Sequence, residues 1–274
     1  MIKRIYLEIT DACNLNCPFC TVAKGGRFLS LADFDDFTRQ IKEFTDYIYL
    51  HVLGEPLLHP QFEDFLKILD DRELKLQLVT NGTLLERYPA LLDHKCLRKL
   101  SISVHSLNGY ELAQSCFRTI DALLVREREC VIELRFYDTE NKDERIRDYH
   151  DSLIKRYGLK EMRRAGSHEL FDKTYICYEK LFRWPDINDE IIDEEGYCHG
   201  LKDQLAILSN GIVTSCCLDP KGINELGDMK RNSLKEILES DKYLKARKDL
   251  ADHRLTLPLC GHCTYRQRFD RKRN

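Results

Sequence analysis

The sequence predicts an α/β protein built on a parallel sheet. Five apolar runs with β character recur at IYLEI (5–9), YIYLHV (47–52), KLQLVT (75–80), KLSISV (99–104) and VIELRFY (131–137). Segments of helical periodicity separate them, and strand–helix alternation at this spacing reads as βα repeats. With 274 residues and 43% hydrophobic composition the chain can bury a sizeable core, as one large domain or as one domain with a small appendage.

Taken in order, LADFDDFTRQIKEF (31–44), FEDFLKILDD (62–71), LLERYPALLDH (84–94) and YELAQSCFRTIDALLVRE (110–127) predict helices, and a polar helix is expected around 142–157. From 158 to 197 the pattern weakens into a charged connector or lid holding Trp184-Pro185 and DINDEIIDEEG. Over Gln204–Cys217, Asn210-Gly211 lies between two apolar runs, a hairpin signal because both residue types tolerate positive φ. SLKEILES (233–240) predicts a short helix. Ligands of parallel sheets sit at the carboxyl ends of the strands, so the residues after each run are the ones to inspect.

Composition narrows the function. The 43 Lys and Arg against 46 Asp and Glu leave a net charge of −3, so no global field draws the protein to nucleic acid or an anionic membrane. No apolar stretch is long enough to span a bilayer, and Met1 runs directly into the first strand, so the expectation is a cytoplasmic protein without a targeting segment. Twelve cysteines in a reducing compartment point away from disulfides and towards metal or cluster ligation for the grouped ones.

The strongest motif is CNLNCPFC, with Cys13, Cys17 and Cys20 in the loop after the first strand. Three thiolates from one loop hold three irons of a cubane and leave the fourth open, whereas a structural zinc would want a fourth protein ligand nearby. This loop resembles the cluster-binding motif of radical S-adenosylmethionine (radical SAM) enzymes, whose fold is a partial (βα)6 barrel. Leu53-Gly54-Glu55-Pro56 resembles that family's Gly-Gly-Glu-Pro segment, with Leu53 in place of the first glycine. Thr80-Asn81-Gly82 is similar to its TNG turn, and Ser103 matches a serine that contacts the cosubstrate. The resemblance implies that Gly54 and Glu55 bind the amino group of S-adenosylmethionine, that Phe19 lies near the adenine, and that Asn81 and Ser103 serve the ribose or carboxylate.

A second constellation comprises Cys198, Gly211 with Cys216 five residues on, and Cys260-Gly-His-Cys263. Four such thiolates suit zinc or an iron–sulfur cluster alike. Their order resembles the twitch domain, the shortened relative of the SPASM domain, which implies an auxiliary [4Fe-4S] cluster beside the S-adenosylmethionine-binding one. Cys217 competes with Cys216 as ligand, and the glycine spacing favours Cys216. Cys96, Cys116, Cys130 and Cys177 are expected in the core.

Among single residues, His105 is a candidate general base, with a structural role as its alternative. Arg135 points to either face of its strand depending on register. His51 and His59 are expected in exposed or capping roles, and His262 as a spacer. The tail from Arg266 to Asn274 carries five basic residues around one aromatic and is expected to be solvated, gripping RNA or an acidic peptide being the alternative. The expected division is a barrel over 1–150, a connector or lid over 151–197 and a twitch-like domain over 198–274. By resemblance the enzyme would take a ribosomally made peptide or protein, or else a small alcohol or sugar, with electrons from a flavodoxin or ferredoxin. The rival of another class is a non-catalytic iron–sulfur or zinc protein that binds RNA or transfers electrons.

Overall fold

Helices follow most of the strands in the first half of the chain, as the alternating runs require. The computed structural model describes residues 2–20, 25–137, 143–158 and 166–270. In chain order the elements are β1 (Arg4–Leu7), α1 (Leu31–Lys42), β2 (Tyr47–Tyr49), α2 (Phe62–Asp71), β3 (Lys75–Thr80), β4 (Leu97–Ile102), α3 (Ala113–Leu124), β5 (Val131–Tyr137) and α4 (Glu144–Tyr157). There follow β6 (Gly166–Phe171), β7 (Thr174–Glu179), β8 (Gln204–Ile207), β9 (Ile212–Thr214), β10 (Gly227–Asp228), α5 (Leu234–Glu239), α6 (Asp241–Ala251) and α7 (Gln267–Asp270).

The chain forms two compact units, one of residues Met1–Asn14, Pro18–Lys75 and Phe182–Asn274, the other of Leu15–Cys17 and Leu76–Leu181. In the first, the strand order is β10-β9-β8-β1-β2. β1 is central and pairs in parallel with both β2 and β8, Ile5 lying opposite Ile48 and Leu205. This pairing unites the start of the chain with its C-terminal part, which is why the units do not follow the boundaries expected from sequence. Ile5 and Leu7 are fully buried on one strand face, and the stacked rings of Phe34 and Phe65 pack α1 against α2 at 4.0 Å. Ser30 caps α1 by accepting the Asp33 N–H, and Ser233 and Glu236 form a capping box on α5.

In the second unit the order is β3-β4-β5-β7-β6. β5 alternates strictly: Ile132, Leu134 and Phe136 are fully buried, while Val131, Glu133, Arg135 and Tyr137 share the other, half-buried face. On the apolar side Phe117 of α3 stacks on Tyr149 of α4 at 4.1 Å. Asp143 caps α4, and Gly158 ends it in the left-handed conformation.

Three expectations need correcting. Residues 84–94 form two short 3₁₀ turns rather than a helix, because Pro89 cannot donate to a continuing ladder. The stretch expected as a connector holds the β6–β7 hairpin, and β7 continues the parallel sheet beside β5. Its turn uses Asp172 and Lys173 at positive φ and contains no glycine, so it carries no turn signature. In the β8–β9 hairpin only Gly211 has positive φ (95°), while the Asn210 side chain accepts the Ile212 N–H. No helix among the described residues is long and apolar enough to cross a membrane.

Candidate functional site

The cysteine loop leaves β1 through a braced base. The Thr10 hydroxyl donates to the Arg27 carbonyl at 2.7 Å and accepts the Ala12 N–H, while Asp11 accepts the Arg27 N–H and pairs with its guanidinium. Gly54 packs on the same backbone. At its φ of +77° a Cβ would collide with the Thr10 carbonyl and lie 2.7 Å from the Ala12 carbonyl, so only glycine fits. The next residue donates its N–H to the Ala12 carbonyl at 2.8 Å, and the buried Glu55 carboxylate accepts the Leu57 N–H at 3.0 Å. Leu53 is buried, and its N–H donates to Glu8.

Glu8, 2% exposed, also accepts the Ser209 N–H and hydroxyl, so one carboxylate ties the Gly-Glu-Pro segment to the β8–β9 turn. Burial pushes its pKa up, against the opposing pull of these donors. Of the two roles expected for it, His59 takes the capping one: it is buried, bonded to the Leu29 carbonyl, and accepts the Gln61 N–H at the start of α2. His51 is half-buried against the rings of Tyr6 and Tyr49.

Cys13 and Cys20 are half-buried, as is Phe19, and Cys17 is buried. In the second unit the Cys17 thiol donates to the Ser106 carbonyl at 3.6 Å, and the Asn16 N–H donates to the Tyr110 hydroxyl at 2.6 Å. Asn81, buried, braces its own turn by accepting the Thr83 N–H and hydroxyl. Ser103 is half-buried, its N–H donating to the Thr80 carbonyl. His105 is 6% exposed, its Nδ1 at 3.1 Å from the Arg135 carbonyl. Burial and then the Arg135 charge hold its pKa down to about 3, so the ring is neutral and a weak base near neutrality.

The half-buried face of β4, β5 and β7 is polar. Lys99 pairs with Glu133 at 3.1 Å, Ser101 donates to Glu133 at 2.7 Å, and Arg135 pairs with Glu179 at 3.2 Å. The register thus places Arg135 on this face and away from the helices.

In the first unit Cys198, Cys216, Cys260 and Cys263 line one cavity with Asn224 and Arg266. Cys217 faces elsewhere, packed on the cluster of Tyr6, Val52, Ala206 and Leu208. His262 bonds the Glu190 carbonyl and does not line the cavity. Cys96, Cys116, Cys130 and Cys177 are buried. Of the basic tail, Arg266 is buried, and residues 271–274 lie outside the described ones.

The four-thiol cavity fits an iron–sulfur cluster. Burial first, and neighbouring thiols for Cys198, Cys216 and Cys260, push the thiol pKa values up, so a cationic centre is needed to hold the set as thiolates. Donors already surround the sulfurs: the Gly200 N–H on Cys198 at 3.3 Å and the Asn224 amide on Cys260 at 3.6 Å. Glu8 and Asn224 carried no motif in the sequence, and Arg266 was read there only as the start of a solvated tail; only the fold brings them to the sites.

The Radical SAM superfamily model matches residues 7–125, and an iron–sulfur cluster-binding (SPASM) domain model matches residues 198–264. Residues 7–125 are thus similar to a radical SAM domain and residues 198–264 to a SPASM-type domain, and these two matches imply S-adenosylmethionine, the [4Fe-4S] cluster that binds it and an auxiliary [4Fe-4S] cluster as cofactors.

Among relatives, it is 35% identical over 89 residues to the tungsten-containing aldehyde ferredoxin oxidoreductase cofactor-modifying protein of Pyrococcus furiosus, over 31% of this chain and 25% of that one. The first curated relatives are matched over only 25–38% of their own length. BtrN in complex with AdoMet and 2-DOIA has a TM-score of 0.61 at 17% identity, covering 96% of this chain and 93% of that one. Streptococcus suis SuiB bound to its precursor peptide SuiA also scores 0.61, at 15% identity, covering 97% and 72%. At these identities the likeness establishes the fold, the α/β partial (βα)6 barrel with a small C-terminal iron–sulfur domain.

Proposed function

We propose that the chain reductively cleaves S-adenosylmethionine and abstracts hydrogen from a polar substrate. The observation that carries this reading is Gly54, pressed on the backbone of the cysteine loop at a contact only glycine permits. Cys13, Cys17 and Cys20 would hold the cluster and leave one iron open to the cosubstrate. When bound, that cluster and S-adenosylmethionine supply a 5′-deoxyadenosyl radical. The protein's own part is positioning: Gly54 and Glu55 present the amino-group site, Phe19 lies towards the adenine, and Asn81 and Ser103 serve the ribose or carboxylate. Cys198, Cys216, Cys260 and Cys263 would hold the auxiliary cluster. His105, neutral and hydrogen-bonded, serves better as support for β5 than as a base.

For the substrate, the paired charges of Lys99, Glu133, Arg135 and Glu179 favour a small molecule bearing several hydroxyl or amino groups, which can exchange hydrogen bonds with them. BtrN, solved with AdoMet and 2-DOIA, supports this reading. The second reading, a ribosomally made peptide, draws support from SuiB bound to its precursor peptide. A flavodoxin or ferredoxin would supply the electron.

Anaerobic protein reduced with dithionite should form 5′-deoxyadenosine from S-adenosylmethionine, and Cys13→Ala/Cys17→Ala/Cys20→Ala should form none. Iron should fall from about eight to about four per chain in that variant. An intact cluster that yields no 5′-deoxyadenosine under any reductant would sink the proposal and favour a non-catalytic iron–sulfur protein. Deuterium transfer from labelled amino sugars or from labelled peptides to 5′-deoxyadenosine separates the substrate classes.

A further inference from the structure

Arg266 is 3% exposed and lines the same cavity as the four cysteines. Its guanidinium pairs with Asp193, whose side chain is 39% exposed. A Cβ on residue 196 would collide with that guanidinium, so Gly196 makes the room that lets the arginine reach this position. The backbone N–H of residue 266 also bonds the Cys263 sulfur.

Burying an arginine costs several kcal/mol unless its charge is matched, and a half-solvated carboxylate matches it only in part. The content of the cavity that it lines is a further group able to carry negative charge. A cubane with four thiolates is doubly negative when oxidised and triply negative when reduced, and its potential follows net charge, hydrogen bonding and solvent exposure.

We infer that Arg266 is the charge partner of the auxiliary cluster and raises its reduction potential, with Asp193 setting how far. This rests on the assignment of Cys198, Cys216, Cys260 and Cys263 as its ligands. The positive charge attracts the reduced cluster more strongly than the oxidised one, so reduction becomes easier. Asp193 opposes this by neutralising part of the arginine from its outer side. Arg266 is therefore a tuning residue, separate from the ligand set.

The test is a mediated redox titration followed by electron paramagnetic resonance. It is carried out on the full chain in the Cys13→Ala/Cys17→Ala/Cys20→Ala background, where the auxiliary cluster alone contributes. Arg266→Gln should lower the ratio of reduced to oxidised cluster at fixed poise about tenfold, which is about 59 mV for one electron. Asp193→Asn should move the midpoint the opposite way, and Arg266→Lys should stay near the parent. A merely structural arginine would not produce shifts of opposite sign. Full iron content with an unmoved midpoint in Arg266→Gln overturns the inference, as does a downward shift in Asp193→Asn. Should Arg266→Gln fail to retain iron, the Arg266→Lys and Asp193→Asn midpoints decide. Zinc in place of iron in the background protein refutes the ligand assignment itself, a separate result from an unmoved midpoint.

Discussion

Replacing Gly54 with alanine tests the proposed S-adenosylmethionine site. The residue sits at φ +77°, where a side chain costs about 1–2 kcal/mol. The new methyl group also meets the Thr10 and Ala12 carbonyls, which belong to a braced backbone and cannot rotate aside as a side chain would. Relief requires moving the Ala12 carbonyl away from the residue 55 N–H, a hydrogen bond of 2.8 Å whose loss costs about 1 kcal/mol. The total is about 2–3 kcal/mol for keeping the native site. If binding requires that geometry, the apparent Kd for S-adenosylmethionine rises between about 30-fold and about 150-fold. Anaerobic titration calorimetry on cluster-loaded protein measures it, with iron content as the control for folding. A Kd within about threefold of wild type would refute the close-packing argument.

Three further outcomes are expected. Glu8→Ala leaves the Leu53 N–H and both Ser209 donors buried without their acceptor, costing about 3 kcal/mol and lowering Tm by about 6–10 °C; a fall under about 2 °C would show that water or repacking replaces the carboxylate. His105, with its folded pKa near 3 against about 6.5 unfolded, contributes stability fully present above pH 6.5 and lost as pH falls from there towards 3. That contribution, on the order of 5 kcal/mol, should vanish from the pH dependence of denaturant unfolding in His105→Gln, and a kinetic pKa between 5 and 8 that disappears in the same variant would restore it as a general base. Cys216→Ser should remove about four irons per chain while Cys217→Ser removes none, because only Cys216 lines the cavity; iron analysis showing the reverse would exchange their roles.

Local pattern and short-range chemistry were legible without the fold. The period-two alternation of β5, the cysteine spacing of residues 13–20, the Gly-Glu-Pro segment and the Asn210-Gly211 turn each express a constraint acting over a few residues, so each can be read from a few residues. The β6–β7 hairpin was not legible, because its turn is made by Asp172 and Lys173 in a conformation imposed by strand pairing rather than by residue preference. The interrupted helix at 84–94 shows apolar periodicity overruled by one proline. Which of Cys216 and Cys217 faces the cavity depends on how the chain leaves β9 beside Tyr6, a contact between segments some 210 residues apart in sequence. Sequence by itself determined the sets of thiols this chain offers, since ligand type and spacing are local properties. Tertiary structure alone decided which groups support them: Glu8 bridging to Ser209, Asn224 at Cys260 and Arg266 against Asp193 are pairs far apart in the chain, joined only when burial forces each polar group to find a partner.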